Sequence, residues 1–368
     1  MPLHRLGWSH FFEGQFLSWR ERGCVPARVT EEHKTYCVIM GEFAEKPAEV
    51  SGRFRHLASA RSQYPAVGDW VAVSDAPEDD RAVIHGLLER KSVYTRKGVR
   101  SSGMPDTGGR SEAQVLAANV DTVFLVSGLD GDFNLRRIER YLSAAWDSGA
   151  APVIILNKAD LCPDIVARID DVGSVAFGIP VHAISAADGQ GMEAVEAHLS
   201  PGRTGVFLGS SGVGKSTIIN RLLGEARLKT NLVREHDGRG RHTTTCRQML
   251  FLPGGGIVID TPGMREFRLW DDEGGLSRTF EDVEQLATRC RFTDCRHQTE
   301  PGCAIREAIE AGRLDENRYD SYLKLEKERR FLAMRKDQAA QRQRERQWQK
   351  KIRQHQEAVK ELKKRGLL

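Results

Sequence analysis

Through the middle of the chain, short apolar runs alternate with amphipathic stretches. The runs at 120–126, 152–156, 181–184, 205–208, 248–252 and 257–259 are rich in Val, Ile, Leu and Phe, which suits strands buried on both faces. Between the first two, Leu135, Ile138, Tyr141, Leu142, Ala145 and Trp146 recur at helical spacing. A further helix is expected over Lys215–Leu223, directly after the fourth run. Six strands with intervening helices predict a doubly wound, mainly parallel α/β domain over residues 113–275. In such a sheet ligands gather at the carboxyl ends of the strands.

The flanks follow other patterns. Residues 23–97 contain short or alternating apolar runs at 25–29, 36–40, 70–73 and 82–84, separated by turn residues such as Val67-Gly68-Asp69. About five strands in so short a span predict a small closed β-barrel of the OB type. Arg53, Arg55, Arg61, Arg90, Lys91, Arg96 and Lys97 give it basic faces suited to RNA. Residues 1–22 form an aromatic-rich arm in which Phe12, Phe16 and Trp19 share one helical face, expected to pack on a neighbour. Residues 98–112 are rich in Gly and Ser and are expected to be a linker. Residues 276–368 hold a Cys/His cluster and then, from about Leu314, a segment nearly free of Gly and Pro. A mostly helical metal-binding domain ending in one long helix is expected there.

Composition sharpens this division. A chain of 368 residues exceeds one typical domain. The net charge of +4 hides an asymmetry: residues 321–368 carry 16 Lys and Arg against 6 Asp and Glu, leaving 39 against 45 for the rest. A +10 tail on a mildly acidic body points to a polyanionic partner, with affinity that falls steeply with salt. Of seven cysteines, Cys290, Cys295 and Cys303 cluster around His297, which indicates metal binding in a reducing compartment. The first 20 residues are interrupted by charges and do not form a signal peptide. No apolar run reaches the roughly 18 residues of a membrane span. A cytoplasmic monomer with no membrane partner is expected.

The chemistry lies at the strand ends. Gly209-Ser210-Ser211-Gly212-Val213-Gly214-Lys215-Ser216, followed by Thr217, reads G-x-x-x-x-G-K-S between a strand and a helix. This is a P-loop, whose backbone N–H groups and helix N-terminus cradle phosphates. Lys215 is expected to reach the β- and γ-phosphates and Ser216 to offer its hydroxyl to Mg²⁺. Asn157-Lys158-Ala159-Asp160 reads N-K-x-D after the second strand. A carboxylate at Asp160 accepts from guanine N1–H and the exocyclic amine, whereas adenine would set a lone pair against it. An unpaired buried group of this kind discriminates by roughly 10⁴-fold. Ser185-Ala186 supports the base from the next strand end. Asp260 begins D-x-x-G, with Gly263 as its glycine. Asp260 is expected to hold Mg²⁺ through water, and the Gly263 N–H to sense the γ-phosphate. A switch hydroxyl for Mg²⁺ comes from Thr243-Thr244-Thr245, with Thr244 taken as the ligand and its neighbours left as alternatives.

The order of these parts is rotated. The usual series is P-loop, Thr switch, D-x-x-G, N-K-x-D, Ser-Ala; here N-K-x-D and Ser-Ala come first. Joining nearby termini and cutting elsewhere preserves such a site. It also makes the segment after D-x-x-G lead directly into the Cys/His domain. Met264 follows Gly263 where many GTPases place Gln, so water must be positioned by another group. His242, just before the Thr run, is the catalytic candidate; a group supplied by the partner is the alternative. Cys290-x₄-Cys295-x-His297-x₅-Cys303 supplies four ligands of Cys₃His type, which suit a closed, structural Zn²⁺ site.

Together these residues resemble the RsgA (YjeQ/EngC) family, the circularly permuted GTPases of small-ribosomal-subunit biogenesis. The resemblance rests on Gly240-Arg241-His242-Thr243-Thr244-Thr245, Asp260-Thr261-Pro262-Gly263-Met264-Arg265-Glu266-Phe267 and the Cys₃His spacing. It implies binding of the 30S subunit and its 16S rRNA late in maturation, ribosome-stimulated hydrolysis of GTP to GDP, and release of assembly factors. A GTP-holding RNA scaffold with negligible hydrolysis is the alternative that Met264 leaves open.

Overall fold

The computed structural model describes residues 1–33, 35–58, 60–74, 80–97, 113–228, 247–260 and 273–334, together with 341, 345 and 348. Strands β1 (Val25–Glu32), β2 (Cys37–Met40), β3 (Lys46–Val50), β4 (Trp70–Ser74) and β5 (Ala82–Leu87) run in the order β1-β2-β3-β5-β4, and β4 returns to β1. They form a closed five-stranded barrel. β5 shows why: Ala82 and Ile84 are buried in the interior while Val83 and His85 are exposed, the period-two pattern of a half-buried strand. Inside lie Ala27, Val29, Ile39, Ala48, Val71, Val73, Ala82 and Ile84. Lys46–Val50, which has a Pro and a Lys, had no apolar signature in the sequence. It forms a strand because the barrel supplies it with partners on both edges, β2 and β5.

β1 departs from alternation. Ala27, Arg28, Val29 and Thr30 are buried in succession, because its outer face is covered as well. That cover is the N-terminal segment: Phe12 and Phe16 of the helix His10–Arg20 pack with Leu6, Trp70 and Leu88. The aromatic arm is therefore part of a core. Arg28, fully buried, ties the layers together by donating to the carbonyls of Leu6 (2.5 Å), Gly68 (3.1 Å) and Asn119 (3.0 Å).

β6 (Val93–Lys97) and β7 (Ala113–Ala118) pair antiparallel. The expected linker 98–112 lies outside the described residues, but the strands on either side of it are paired, so its two ends are neighbours. Strands β8 (Thr122–Gly128), β9 (Ala151–Asn157), β10 (Val181–Ile184), β11 (Thr204–Leu208), β12 (Arg247–Phe251) and β13 (Ile257–Asp260) follow. Their order is β10-β9-β8-β11-β13-β12, parallel except for the β12–β13 pair. Helices Leu135–Asp147, Ile165–Gly173, Met192–Ala197 and Lys215–Leu223 lie between these strands in the sequence, and apolar clusters fill both faces of the sheet. β1 also pairs with β12, at Glu31↔Gln248 and Glu32↔Arg247, so barrel and α/β domain share one 11-stranded sheet.

A second compact unit takes in 269–276 and 280–368. Its described part contains the helices Glu281–Ala287 and Ala304–Glu310 and a helix over 316–334. Phe280, Val283, Ile305, Ala308, Leu314, Tyr319 and Leu325 form its core. Arg318 grips Asp282 with two bonds of 2.8 and 2.7 Å. Residues 341, 345 and 348 are helical; the remainder of the expected long helix lies outside the described residues. No helix among the described residues is long and apolar enough to cross a membrane.

Candidate nucleotide site and metal centre

The parallel strands deliver their motifs to one edge. β9 ends on Asn157, which is in register with Gly128 of β8 and Ile184 of β10. β11 runs into Gly209 and β13 ends on Asp260. The loop after β11 is held close to its neighbours. A Cβ on Gly209 would lie 2.3 Å from the Val126 carbonyl. At Gly214, with φ +98°, a Cβ would lie 2.1 Å from Asn157 Nδ2. Only glycine fits where the P-loop turns into helix Lys215–Leu223.

Asn157 is the keystone. It is 3% exposed. Its Nδ2 donates to the Val213 carbonyl at 2.8 Å, and its Oδ1 accepts from the Ala186 N–H at 3.0 Å. One side chain thus joins the P-loop, the N-K-x-D turn and the Ser-Ala loop. Asp160 is exposed in the short turn Ala159–Leu161, two residues beyond Lys158, which has φ +66°. The Lys158 ammonium pairs with the Asp130 carboxylate. Burial raises the Asp130 pKa, but the Lys158 bond and backbone N–H donors outweigh it and hold the carboxyl below its ordinary value. Ser185, fully buried, donates to Asp188 at 2.9 Å. Arg221, on the P-loop helix, reaches the carbonyls of Ala186 (3.3 Å) and Ala187.

Within the P-loop, the Lys215 ammonium donates to the carbonyls of Gly209 (2.7 Å) and Ser210 (2.6 Å). Ser210 Oγ accepts from Arg137 at 2.5 Å, and Arg137 also binds Asp132 at 2.6 Å. Ser211 and Gly212 are exposed, Val213 is buried, and Ser216 and Thr217 are half-buried at the helix start. Burial raises the Asp260 pKa, and the nearby Lys215 charge partly offsets this. Lys215 and Asp260 therefore face one site, as a phosphate and a Mg²⁺ ion bound together would require. His242, Thr244 and Gly263 lie outside the described residues.

Four residues here escaped the sequence reading. Asp130 and Arg137 follow β8, whose strand-end position was the available signal. Arg221 and Asp188 had none, because their partners are backbone carbonyls and a serine brought near only by folding.

In the second unit, one ligand atom from each of Cys290, Cys295, His297 and Cys303 lies within 4.8 Å of the other three. His297 Nδ1 is 3.5 Å from Cys290 Sγ and 3.4 Å from Cys303 Sγ. With metal–S bonds of about 2.3 Å and a metal–N bond of about 2.0–2.1 Å, a tetrahedron has N···S edges of about 3.6 Å, close to these two distances, so the cluster fits a four-coordinate ion. His297 takes φ +59° to turn its ring inward. Burial and the neighbouring thiols push Cys295 up to about 11, an arrangement that a bound cation would reverse. The donor set suits Zn²⁺.

A mainly parallel sheet with a P-loop after β11, an N-K-x-D turn after β9 and a carboxylate at the end of β13 defines a circularly permuted P-loop GTPase with an N-terminal barrel. The chain belongs to the RsgA family. A family model described as RsgA GTPase matches residues 88–270. One described as 50S ribosome-binding GTPase matches 204–361, starting at β11 where an unrotated GTPase would start. The small ribosomal subunit biogenesis GTPase RsgA of Opitutus terrae is 48% identical over 346 residues, 92% of each chain. RsgA 1 of Oceanobacillus iheyensis is 47% identical over 307 residues, covering 83% of this chain and 85% of its own. The crystal structure of YjeQ from Thermotoga maritima superposes with a TM-score of 0.61 at 26% identity, covering 84% of this chain and 99% of that one. YloQ, a circularly permuted GTPase, shares the fold at a TM-score of 0.58 and 22% identity.

Proposed function

We propose that this GTPase binds the 30S ribosomal subunit, contacts 16S rRNA and assists late maturation in the cytoplasm as a monomer, with hydrolysis of GTP to GDP stimulated by the ribosome. The observation that carries the reading is Asn157 bonded at once to Val213 and Ala186. It supports the reading by bringing motifs from distant parts of the chain side by side, as a shared guanine-nucleotide site requires.

Asp160 reads the guanine edge, and Asn157, Lys158, Ala159, Ser185 and Ala186 shape the base site. The backbone of Gly209 to Gly214 and the helix N-terminus hold the phosphates. Lys215 turns from the loop carbonyls to the phosphate oxygens. Ser216, Asp260 and Thr244 are the Mg²⁺ ligands, directly or through water. When bound, Mg²⁺ neutralises charge developing on the transferred phosphoryl group. Gly263 senses the γ-phosphate, and His242 orients the attacking water. Hydrolysis and the release of assembly factors are coupled, since γ-phosphate loss frees the switch segments. Cys290, Cys295, His297 and Cys303 hold one structural Zn²⁺, with no open position for catalysis. The basic tail meets rRNA phosphates.

The test is phosphate release from GTP with and without purified 30S subunits. At least a tenfold stimulation is expected. Equal, negligible rates in both arms overturn the reading in favour of a GTP-holding scaffold. Retention of full stimulated turnover in His242→Ala removes that residue from the mechanism.

A further inference from the structure

A cavity of about 750 Å³ opens in the barrel, lined by residues of the β1–β2 turn, β3 and the segment 55–65. That size falls within the roughly 300–1,000 Å³ of small-molecule sites. One wall is pinned from behind. Arg90 binds fully buried Asp69 through two bonds of 2.8 and 2.7 Å. It also donates to the carbonyls of Ser62 (2.7 Å) and Tyr64 (3.0 Å). The turn bearing Arg61 and Tyr64 is thereby fixed. Another wall is aromatic: the His33 and Tyr36 rings stack 4.4 Å apart at 17°, on a turn closed by His33 N–H donating to the Tyr36 carbonyl at 3.0 Å.

The charges sort by sign. The two lining carboxylates are already engaged, Glu32 by Arg247 at 2.5 Å and Glu49 by Arg81. The two lining guanidiniums, Arg55 and Arg61, are exposed and have no ion-pair partner among the described residues. A flat aromatic wall beside two unengaged guanidiniums is complementary to a planar ring carrying an anionic group.

We propose that this cavity is a subsite for one nucleotide unit, its unpaired base against the Tyr36–His33 stack and its phosphate between Arg55 and Arg61. It is separate from the P-loop site. The unit can come from single-stranded RNA or from a free mononucleotide; both present the same base and phosphate. The proposal deepens the reading of the barrel as RNA-facing, and co-sedimentation of the same variants with 30S subunits tells the two apart.

The experiment uses the full chain with GDP and Mg²⁺ in excess to fill the P-loop. Fluorescein-labelled octauridylate is followed by anisotropy at low salt, and 5′-UMP is added as competitor. Arg55→Ala and Arg61→Ala are each expected to weaken octauridylate binding at least fivefold. Arg53→Ala, which removes an equal charge outside the cavity, changes it less than twofold. Tyr36→Leu weakens binding at least fivefold, whereas Tyr36→Phe retains it. Competition by UMP assigns the site to free nucleotides, and its absence assigns it to a unit of RNA. The proposal is overturned if wild type binds neither probe, if Arg53→Ala costs as much as Arg55→Ala, or if Tyr36→Leu binds normally. Co-sedimentation that persists in that case leaves the RNA-facing barrel standing without this subsite.

Discussion

Arg247 donates to the Glu32 carboxylate at 2.5 Å, joining the first residue of β12 to the last residue of β1. Their side chains are only 14% and 20% exposed. One position along, Glu31, Gln248 and Asp260 stand in register on three adjacent strands. The barrel is thus hydrogen-bonded to the strand that follows the Thr run and flanks the Mg²⁺ candidate. Glu32→Gln or Arg247→Met is expected to lower stability by about 1–2 kcal/mol, since each strands a partly desolvated partner. Thermal melts of both single variants and the double should show a coupling of about 0.5 kcal/mol or more. Strict additivity would mean that the pair is idle.

Asn157→Ala removes two bonds at once and leaves the Val213 carbonyl and Ala186 N–H without their partner. A loss of about 2–4 kcal/mol is expected from two buried unsatisfied groups. Guanine-nucleotide affinity should fall more than a hundredfold, because the loops that face base and phosphate lose their common anchor. A fluorescent GDP analogue measures this. Asp160→Asn, exposed and bonded to neither loop, should lose base selection while its melting temperature stays near that of the parent.

Asp260→Asn separates function from stability. Burial raises the pKa of this carboxyl above its unfolded value. A raised acid favours folding below its unfolded pKa, near 3.9, and loses that contribution as pH climbs through the folded value. At neutral pH the ionised carboxylate is therefore a cost to the nucleotide-free fold. The Asn variant should melt higher at pH 7, with the advantage shrinking to nothing by about pH 4. Its Mg²⁺-dependent GTP hydrolysis should fall at least a hundredfold. A lower melting temperature at pH 7 would contradict the burial argument.

Zinc extraction should act locally. Model-peptide zinc sites contribute about 10–16 kcal/mol of apparent binding energy, far more than a core built on Phe280, Val283, Ile305 and Leu314 can replace. One zinc per chain is expected by elemental analysis. After chelation, hydrogen exchange should lose protection at 281–310 while β8 to β11 keep theirs. Cys303→Ser, at the buried ligand, should reproduce the loss.

The linear order of residues was enough for the chemistry that obeys spacing rules. A phosphate loop needs contiguous glycines before Lys215, a guanine reader needs Asn157 and Asp160 three apart, and a metal knot needs Cys290 to Cys303 within one short stretch; each requirement is local and survives rotation of the order. Doubly buried strands such as β8 and β9 were legible for the same reason, as unbroken apolar runs. Tertiary structure alone decided what depends on meetings across the chain. β3 is a strand because β2 and β5 complete its hydrogen bonds, the aromatic arm is core because Trp70 and Leu88 receive it, and Arg28 is buried because three carbonyls from separate segments converge on it. No spacing rule announces such contacts, since their free energy arises only when distant groups leave water together.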